Sequence, residues 1–531
     1  MKNVIINTDN YYFDRLKAPG ILKFDQLGTA TSNRFASNLK RAVIGFNTVL
    51  LLFLFLTLTG GAAKAATFTV NLTTDAADAV PGDGICDAVT AVPGSQCTLR
   101  AAIEESNILP GVDDITFALD GANAINLTIN QLWIKSSLNI NGPGARLLTV
   151  QRASNAARFR ILLIQGSTTK VNISGITIAN GNTILENGSN VLGNGGAIFN
   201  HGASLTLSEV TVKNNTAPAG GGIFNEGGSL NVARSTFSNN IARQGGGINN
   251  RNDAFPVNII NSTISDNTVN DGGVGTPPLG GGIYNNGVMV IVNSTISHNT
   301  SNQEGGGIYT DGASLNLKTR NSIIAGNTAP VDSDIYGGAT SQGNNLVGIV
   351  GSGNGFTNGI NGDKVGTSAA PLNALLGALQ DNGGQTDTRA LLAGSPALDA
   401  GNGCVLEVPL CLTPGLTTDQ RGLPRKSGAA ADIGAFEAQN GAVHKTRGDF
   451  DGDQRADIAV FRSLSGTWYV SRSTNNQMQA VHFGMNGDKP VSGDYDGDNK
   501  TDIAVFRPSN GVWYILNSSN GQFRAVQFGS N

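Results

Sequence analysis

Aliphatic residues recur in aligned columns through the middle of the chain, and polar residues alternate with them. The three columns are Leu205, Leu230, Val257 and Met289; Leu207, Val232, Ile259 and Ile291; and Val212, Phe237, Ile264, Ile296 and Ile324. Alternation with Ser, Thr, Asn or Lys has the period of two that is typical of a β-strand with one buried face. The pattern therefore predicts short strands joined by polar turns, and it does not follow a helical period.

A glycine-rich phrase marks the beginning of each repeated unit. It reads GGAIFN, GGGIFN, GGGINN, GGGIYN and GGGIYT, and it starts at Gly195, Gly220, Gly245, Gly280 and Gly305. The resulting spacing of 25, 25, 35 and 25 residues indicates one supersecondary unit stacked on copies of itself. The glycines suit backbone that turns tightly or takes a positive φ.

Three short strands and three turns in about 25 residues make one coil of a parallel β-helix. The sequence thus predicts an all-β protein with a right-handed parallel β-helix, or solenoid. An asparagine stands where each coil turns, and stacked amides can hydrogen-bond from coil to coil. This column is Asn215, Asn240, Asn267, Asn299 and Asn327.

The N-terminal region has the pattern of a secretory signal. Lys40 and Arg41 precede the apolar run Val49–Leu58, and Ala63-Lys64-Ala65 follows as a small-residue cleavage site. The apolar run is too short to favour a membrane span, and we expect none in the mature chain. Residues 66–531 hold 27 Lys and Arg against 36 Asp and Glu, without a basic cluster, which argues against nucleic acid as a partner.

Four cysteines lie in two local pairs, Cys86 with Cys97 and Cys404 with Cys411. In an exported protein, close pairs favour disulfides over a metal site, because neither pair has C-x-x-C spacing or a nearby histidine. We expect both disulfides to form.

An open β-helix needs covered ends, since exposed strand edges promote aggregation. The segments before and after the repeats are therefore predicted to be caps. The first contains CTLRAAIEESN (Cys97–Asn107), the best helix candidate of the mature chain. The second contains LQDNGGQTDTRALLAGSPALDAG (Leu379–Gly401), TTDQRGLPR (Thr417–Arg425) and DIGAFE (Asp432–Glu437).

These motifs resemble those of bacterial exported β-helix proteins described as choice-of-anchor Q domain proteins. The GGAI and F-x-x-N phrases resemble polymorphic outer-membrane protein repeats. The resemblance covers most of residues 66–438 and implies a surface or secreted protein without implying a reaction. The chain departs from the pattern at Arg389, where a histidine is expected, and at Ala431, where a cysteine commonly stands.

A different repeat occupies the C-terminal part. GDFDGDQRADIAVFR (Gly448–Arg462) returns 45 residues later as GDYDGDNKTDIAVFR (Gly493–Arg507). Aspartates at positions 1, 3, 5 and 9, with a backbone carbonyl at position 7, are ligands that Ca²⁺ accepts in flexible loops. The expected calcium ligands are Asp449, Asp451, Asp453, Arg455 and Asp457 in the first loop, and Asp494, Asp496, Asp498, Lys500 and Asp502 in the second.

Because a strand-like IAVF segment follows each loop, these are not EF-hands. The region resembles FG-GAP or VCBS repeats of integrin-like propellers, which implies a small antiparallel β module of β-propeller type. Two units cannot close a propeller of four or more blades. The alternatives are a small open module and a module with further repeats.

Catalysis is an alternative function, because parallel β-helices also carry polysaccharide lyases and hydrolases. Asp266 with His298, and His201 with Glu226, fall at equivalent positions of neighbouring coils, about 4.8 Å apart. Either pair could serve as acid and base. The competing interpretation is a solvated turn, because the same columns elsewhere hold Asn, Gly, Lys or Thr.

The sequence therefore favours a monomeric, exported cell-surface protein that binds an extracellular glycan or surface protein through a long polar face. A polysaccharide-cleaving enzyme and a structural surface-layer component are the alternatives. The expected organisation is an N-terminal extension (1–40), a signal peptide (41–65), an N-terminal cap (66–135), the β-helix (136–345), a C-terminal cap (346–440), a linker (441–447) and two calcium repeats (448–531).

Overall fold

The computed structural model describes residues 65–89, 96–121, 123–184, 193–270, 277–311, 317–351, 355–406, 415–439, 448–453, 455–498 and 500–529, without the side chains of 252–254. The predicted N-terminal extension, the signal peptide up to residue 64, Cys411 and the linker lie outside the described residues. Within these ranges, no helix is long and apolar enough to cross a membrane.

The strands of the solenoid are short and follow one another closely. The first are β1 (Thr67–Val70), β2 (Asp113–Phe117), β3 (Asn123–Leu127), β4 (Leu132–Ile134), β5 (Leu138–Asn141), β6 (Leu148–Arg152), β7 (Leu162–Gln165), β8 (Lys170–Ser174), β9 (Thr177–Ala179), β10 (Ile198–His201), β11 (Ser204–Ser208), β12 (Thr211–Lys213), β13 (Ile223–Glu226), β14 (Leu230–Ala233), β15 (Thr236–Ser238) and β16 (Ile241–Ala242). They continue as β17 (Ile248–Ile260), β18 (Thr263–Ser265), β19 (Thr268–Val269), β20 (Ile283–Val292), β21 (Thr295–Ser297), β22 (Thr300–Ser301), β23 (Ile308–Thr310), β24 (Leu317–Arg320), β25 (Ile323–Ile324), β26 (Ile335–Tyr336), β27 (Ala339–Ser341), β28 (Leu346–Val347) and β29 (Lys364–Val365).

These strands form a parallel β-helix, as the repeat predicts. One 16-stranded sheet covers two faces, which join at the long strands β17 and β20. Face 1 contains β4, β7, β10, β13, β23 and β26, and face 2 contains β1, β2, β5, β8, β11, β14, β24 and β27. A ten-stranded sheet from β3 to β29 forms face 3, and β16, β19 and β22 add a small fourth sheet. From β4 to β28, each coil thus contributes one strand, or one part of a long strand, to each main face.

The aligned aliphatic columns form the core. Leu205, Leu230, Val257 and Met289 are in direct register on face 2, and each is fully buried. The phrase glycines permit close approach between coils: a Cβ at Gly221 would lie 2.6 Å from the carbonyl oxygen of Gly246 in the next coil. Gly220 has a φ of 63°, which a side chain would disfavour.

The first segment of the chain combines a helix with strands of the solenoid. Helix α1 (Leu99–Ser106) confirms the helix predicted in this region, and Thr98 caps it by accepting a hydrogen bond from the backbone N–H of Ala101 at 3.0 Å. Cys86 and Cys97 form the predicted disulfide. Strand β1 pairs with β2 in the parallel sheet, so the coil stack begins within this segment.

Residues 371–406 and 415–439 lie along the side of the solenoid and cover outer positions of face 3. They contain β30 (Leu376–Gln380), β31 (Thr388–Leu391) and a 3₁₀ helix (Gly403–Leu406). We call them the return segment, because their contacts extend back from Asn344 to Arg146. The outward hydroxyls of Thr236, Thr263 and Thr295 bond to this segment, so the segment covers part of face 3.

The C-terminal repeats form two antiparallel sheets. The first repeat contains β32 (Ile458–Arg462), a 3₁₀ helix (Ser463–Ser465), β33 (Thr467–Ser471) and β34 (Met478–His482). The second repeat is a four-stranded sheet that contains β35 (Lys489–Pro490), β36 (Ile503–Arg507), β37 (Val512–Leu516) and β38 (Phe523–Gln527). The antiparallel module predicted for this part is confirmed.

Candidate functional site

The predicted pair His201 and Glu226 lies on the outside of face 1. The two residues are in direct register at the ends of β10 and β13, and His201 Nδ1 lies 3.2 Å from Glu226 Oε2. Both side chains are about half exposed. The structure therefore brings this pair together, at an open surface rather than in a closed pocket.

An aromatic column runs beside this pair, and none of its members was among the site residues predicted from the sequence. Strand register aligns the outward residue after the isoleucine of each phrase across neighbouring coils. The column is Trp133, Leu163, Phe199, Phe224, Asn249, Tyr284, Tyr309 and Tyr336. The signal was present in the sequence as the Phe, Phe, Asn, Tyr and Tyr that follow the five phrase isoleucines.

The three tyrosines of the column stack closely on one another. Tyr284 and Tyr309 have ring centroids 5.3 Å apart, and Tyr309 and Tyr336 have centroids 4.9 Å apart, with the rings of each pair nearly parallel. Tyr309 and Tyr336 are half-buried, whereas Phe224, Asn249 and Tyr284 are buried, and the Tyr284 hydroxyl donates to Asp311 Oδ2 at 2.8 Å. Burial, with Asp311 and Glu304 nearby, raises the pKa of Tyr309 to about 12, so its hydroxyl remains a hydrogen-bond donor.

Cationic side chains lie against several rings of the column. The exposed Arg251 guanidinium lies 5.8 Å from the ring centroids of both Phe224 and Tyr284, across the coil in which Asn249 replaces an aromatic residue. Lys135 Nζ lies 4.0 Å from the Trp133 ring. The column therefore combines apolar ring surface with a positive and hydrogen-bonding border.

Asp266 and His298 lie in equivalent turns of adjacent coils, but the Asp266 carboxylate is already paired with Arg389. Both residues have left-handed backbone conformations, with φ of 60° and 58°. Arg389 of the return segment donates to both oxygens of Asp266, at 2.8 and 2.9 Å. Burial and the nearby Arg389 lower the pKa of His298, against a smaller opposing effect of Asp266. Arg389 thus holds the return segment on the coil.

A cavity of about 420 Å³ lies between His298, the last coils and the start of the return segment. Asp334 lines it and is almost completely buried. Asp334 Oδ1 accepts hydrogen bonds from the backbone and side-chain nitrogens of Asn327, at 3.0 and 2.8 Å, and Oδ2 accepts from the Ile349 N–H. Burial nevertheless raises the pKa of Asp334 to about 6. Since its oxygens terminate the asparagine ladder, we assign Asp334 a structural role.

Each aspartate-rich loop brings three carboxylates together. Asp449, Asp451 and Asp453 in the first loop, and Asp494, Asp496 and Asp502 in the second, each offer an oxygen within 4.8 Å of the others in the set. The remaining aspartates, Asp457 and Asp498, accept hydrogen bonds from Phe450 N and Lys500 N at 2.7 and 2.8 Å. The residues present fit a hard cation, because several carboxylates converge at one place.

The residues at position 7 of the loops are Arg455 in the first loop and Lys500 in the second. Lys500 lies over the first loop, since its Cε would be 2.7 Å from a Cβ built at Gly452. The Arg455 N–H donates to Asp453 Oδ1 at 2.8 Å, as expected of a tight aspartate turn. In both loops the backbone N–H of the position-7 residue donates to the position-5 aspartate.

Comparison with protein families gives two partial matches. Residues 449–505 match the FG-GAP-like repeat, and residues 293–311 match the Chlamydia polymorphic membrane protein repeat. The chain is thus similar to surface-exposed or secreted repeat proteins over these segments. No curated protein and no solved structure matches the chain. The second match spans β21, β22 and β23 and includes both His298 and Tyr309.

Proposed function

We propose that this is an exported, cell-surface or secreted protein that binds an extracellular glycan through the aromatic column of face 1. The stacked tyrosines with their flanking charged and polar residues are the observation that supports the proposal. Aromatic rings with polar tips provide large contact area and hydrogen bonds at low entropic cost, which suits binding surfaces. His201, Glu226 and Arg251 add both signs of charge beside the rings.

An extended polymer fits this surface better than a small molecule does. The column places outward-facing side chains about 4.8 Å apart on successive coils, and aromatic rings occupy six of its eight positions. Of these rings, Trp133, Phe199, Tyr309 and Tyr336 keep exposed surface. A polymer with repeating hydroxyls and apolar faces can make equivalent contacts at successive coils, and the weak contacts then add along the chain. A glycan has this chemistry.

The proposal is tested by binding of the purified chain to immobilised bacterial and host-matrix glycans. Replacing Tyr309 and Tyr336 together by Ser is expected to weaken binding at least about tenfold, because central aromatic contacts each contribute more than about 1 kcal/mol. Ile360→Ser, which removes an exposed apolar residue away from the column, is the control. Equal binding by the double variant and the unmutated chain would refute the role of the column.

The structure supports binding more than polysaccharide cleavage. Both oxygens of Asp266, one candidate acid, accept hydrogen bonds from Arg389. The pKa of His298 is lowered, which disfavours its protonated form. A general acid of a glycosidase requires a second carboxylate at a defined separation across the bond to be cleaved. Release of reducing ends or unsaturated products that depends on His201 and Glu226 would instead make the chain an enzyme.

We further propose that both aspartate-rich loops bind Ca²⁺ and that the ion stabilises the repeat module. The proposed ligands are the clustered aspartates together with Asp457, Asp498 and the carbonyls of Arg455 and Lys500. Each carboxylate that accepts a backbone N–H retains lone pairs for a cation. An ion would neutralise mutual repulsion within each cluster, and its chemistry there would be structural.

Calcium is expected to stabilise the repeats by about 2.7 kcal/mol at a hundredfold excess over Kd. Two of the three tryptophans, Trp468 and Trp513, lie in β33 and β37, so most of the change in tryptophan fluorescence on thermal unfolding reports on the module. Asp451→Ala with Asp496→Ala should abolish the calcium-dependent shift. Asp120→Ala, at an exposed position outside the module, should retain it. An unmutated chain with no shift would exclude a stabilising calcium site.

The choice-of-anchor Q resemblance and the signal peptide are part of the same proposal. Cleavage after Ala65 in an exporting host would produce a chain beginning at Ala66. Mass spectrometry of the secreted product tests this, and a retained N-terminus would contradict it.

A further inference from the structure

The first aspartate-rich loop is held in shape by contacts within its own repeat. The Asp457 N–H donates to the Gly448 carbonyl at 2.8 Å, and the Ser473 hydroxyl donates to Asp453 Oδ2 at 2.7 Å. The second loop has the same two contacts, between Asp502 and Gly493 and between Ser518 and Asp498. These hydrogen bonds therefore belong to the repeat motif itself.

The first loop receives two further hydrogen bonds from the second repeat, and both come from Thr501. The Thr501 N–H donates to the Asp449 carbonyl at 2.6 Å, and the Thr501 hydroxyl accepts from the Gly448 N–H at 3.1 Å. Thr501 thus holds both ends of the dipeptide formed by Gly448 and Asp449. Thr501 is 6% exposed and Asp449 is 1% exposed, so water has little access to these hydrogen bonds.

Other parts of the second repeat also lie against the first loop. The aliphatic stem of Lys500 covers Gly452, since a Cβ built at Gly452 would be 2.7 Å from Lys500 Cε and 3.3 Å from Lys500 Cδ. Asp451 of the first loop lines a cavity of about 330 Å³ together with Lys500 and Thr501. The first loop is therefore enclosed on one side by residues of the second repeat.

Thr501 also belongs to the second loop, where it occupies position 8. Its neighbours in the chain, Lys500 and Asp502, are two of the calcium ligands proposed for that loop. One peptide unit thus carries the Lys500 carbonyl, a proposed ligand of the second loop, and the Thr501 N–H, which bonds to the first loop. Position 8 of the first loop is Ala456, which has no hydroxyl, so the spacing of the aspartates does not encode this contact.

We propose that the first calcium site is shared between the two repeats, and that Thr501 sets its affinity by positioning Asp449. Asp449 is the ligand at position 1 of the first loop, and Thr501 fixes the backbone from which its carboxylate extends. Groups that orient a metal ligand from outside the coordination sphere strengthen binding, because the ligand is then held ready for the ion. Thr501 is therefore a positioning residue and not itself a ligand of the first ion. This inference rests on the calcium sites proposed above.

Isothermal titration of the chain with calcium chloride, in two backgrounds, tests the proposal. Asp496→Ala disables the second loop and leaves the first, and Asp451→Ala does the reverse. In the Asp496→Ala background, Thr501→Val is expected to weaken calcium binding about five- to tenfold, because valine has the shape of threonine but leaves the buried Gly448 N–H without its acceptor. Thr501→Ser, which retains the hydroxyl, should restore the affinity.

The second loop serves as the matched control, because the hydroxyl of Thr501 bonds to the first loop. In the Asp451→Ala background, Thr501→Val should leave the affinity for calcium unchanged. Equal weakening at both loops would indicate a general loss of folding, and an unaffected first loop would show that Thr501 does not position Asp449. Either result would overturn the proposal. An unmutated chain that takes up no calcium is a distinct outcome, which would refute the calcium sites themselves and this inference with them.

Discussion

At the scale of single residues, the asparagine ladder depends on a side chain that both donates and accepts. Asn215 Nδ2 donates to Asn240 Oδ1 at 3.0 Å, and the same contact continues through Asn267 and Asn299 to Asn327. Each Oδ1 also accepts the backbone N–H of the preceding coil's asparagine. The last acceptor is Asp334, an acceptor-only carboxylate when ionised, which suits the end of a one-directional chain.

Asn240→Ala is expected to lower the free energy of unfolding by about 3 kcal/mol. It leaves the buried backbone N–H of Asn215 without its acceptor and removes one of the three acceptors of the Asn215 side-chain amide, and an unsatisfied buried group costs about 1–3 kcal/mol. The control is Asn231→Ala, a half-buried residue that accepts a single bond from Asn258, and about 1 kcal/mol or less is expected there. Denaturant unfolding measures both, and equal effects would contradict the role of the ladder.

At the scale of elements, the return segment is held together by charged side chains that are buried against face 3. Arg425 is fully buried, and it donates to the carbonyl of Gly434 at 2.8 Å and to Oδ1 of Asn261 in the solenoid at 2.5 Å. Asp419 accepts from Arg421, whose guanidinium stacks 3.6 Å from the Phe436 ring centroid. The DQRGLPR and DIGAFE motifs therefore fold onto each other and onto the coils.

Arg425→Met is expected to destabilise the chain by about 3–5 kcal/mol, because it removes one partner from a buried ionic cluster that includes Asp419, Asp432 and Glu437. Methionine retains much of the side-chain volume, so the loss reports mainly on charge and hydrogen bonds. Lys426→Met, at the exposed neighbouring position, should be nearly neutral. Thermal unfolding compares the two variants, and a neutral Arg425→Met would show that the cluster contributes little.

At the scale of the whole molecule, buried acids make stability depend on pH. Burial raises the pKa of Glu437 to about 7 and that of Asp334 to about 6. Unfolded values lie near 4, so between about pH 4 and 7 the folded chain binds more protons than the unfolded chain. The stabilising free energy from these two groups is fully present below their unfolded pKa values, and it is lost as pH rises through their folded pKa values.

We therefore expect the chain to be more stable at pH 5 than at pH 8, measured by thermal unfolding with excess calcium. Glu437→Gln should reduce this difference, because glutamine does not ionise. Gln303→Glu, at an exposed position of the solenoid, should leave it unchanged. Greater stability at pH 8 in the unmutated chain would contradict the raised pKa values.

Local patterns in the sequence were sufficient to predict the solenoid, its inward columns, the asparagine ladder, helix α1 and the antiparallel C-terminal module. A repeat makes this possible, because each coil contacts its neighbours at a fixed spacing and register is set by the period. The Cys86–Cys97 disulfide followed from proximity in the chain.

Tertiary structure alone decided the features that join residues distant in sequence. Arg389 meets Asp266 across 123 residues, and Thr236 meets Asp387 across 151, so no local pattern predicts that the return segment covers face 3. Val505 in the second repeat is buried, whereas Val460, at the equivalent position of the first repeat, is 57% exposed. This difference has the same cause. Identical sequences differ there because their neighbours differ, and only packing determines which neighbour each one has.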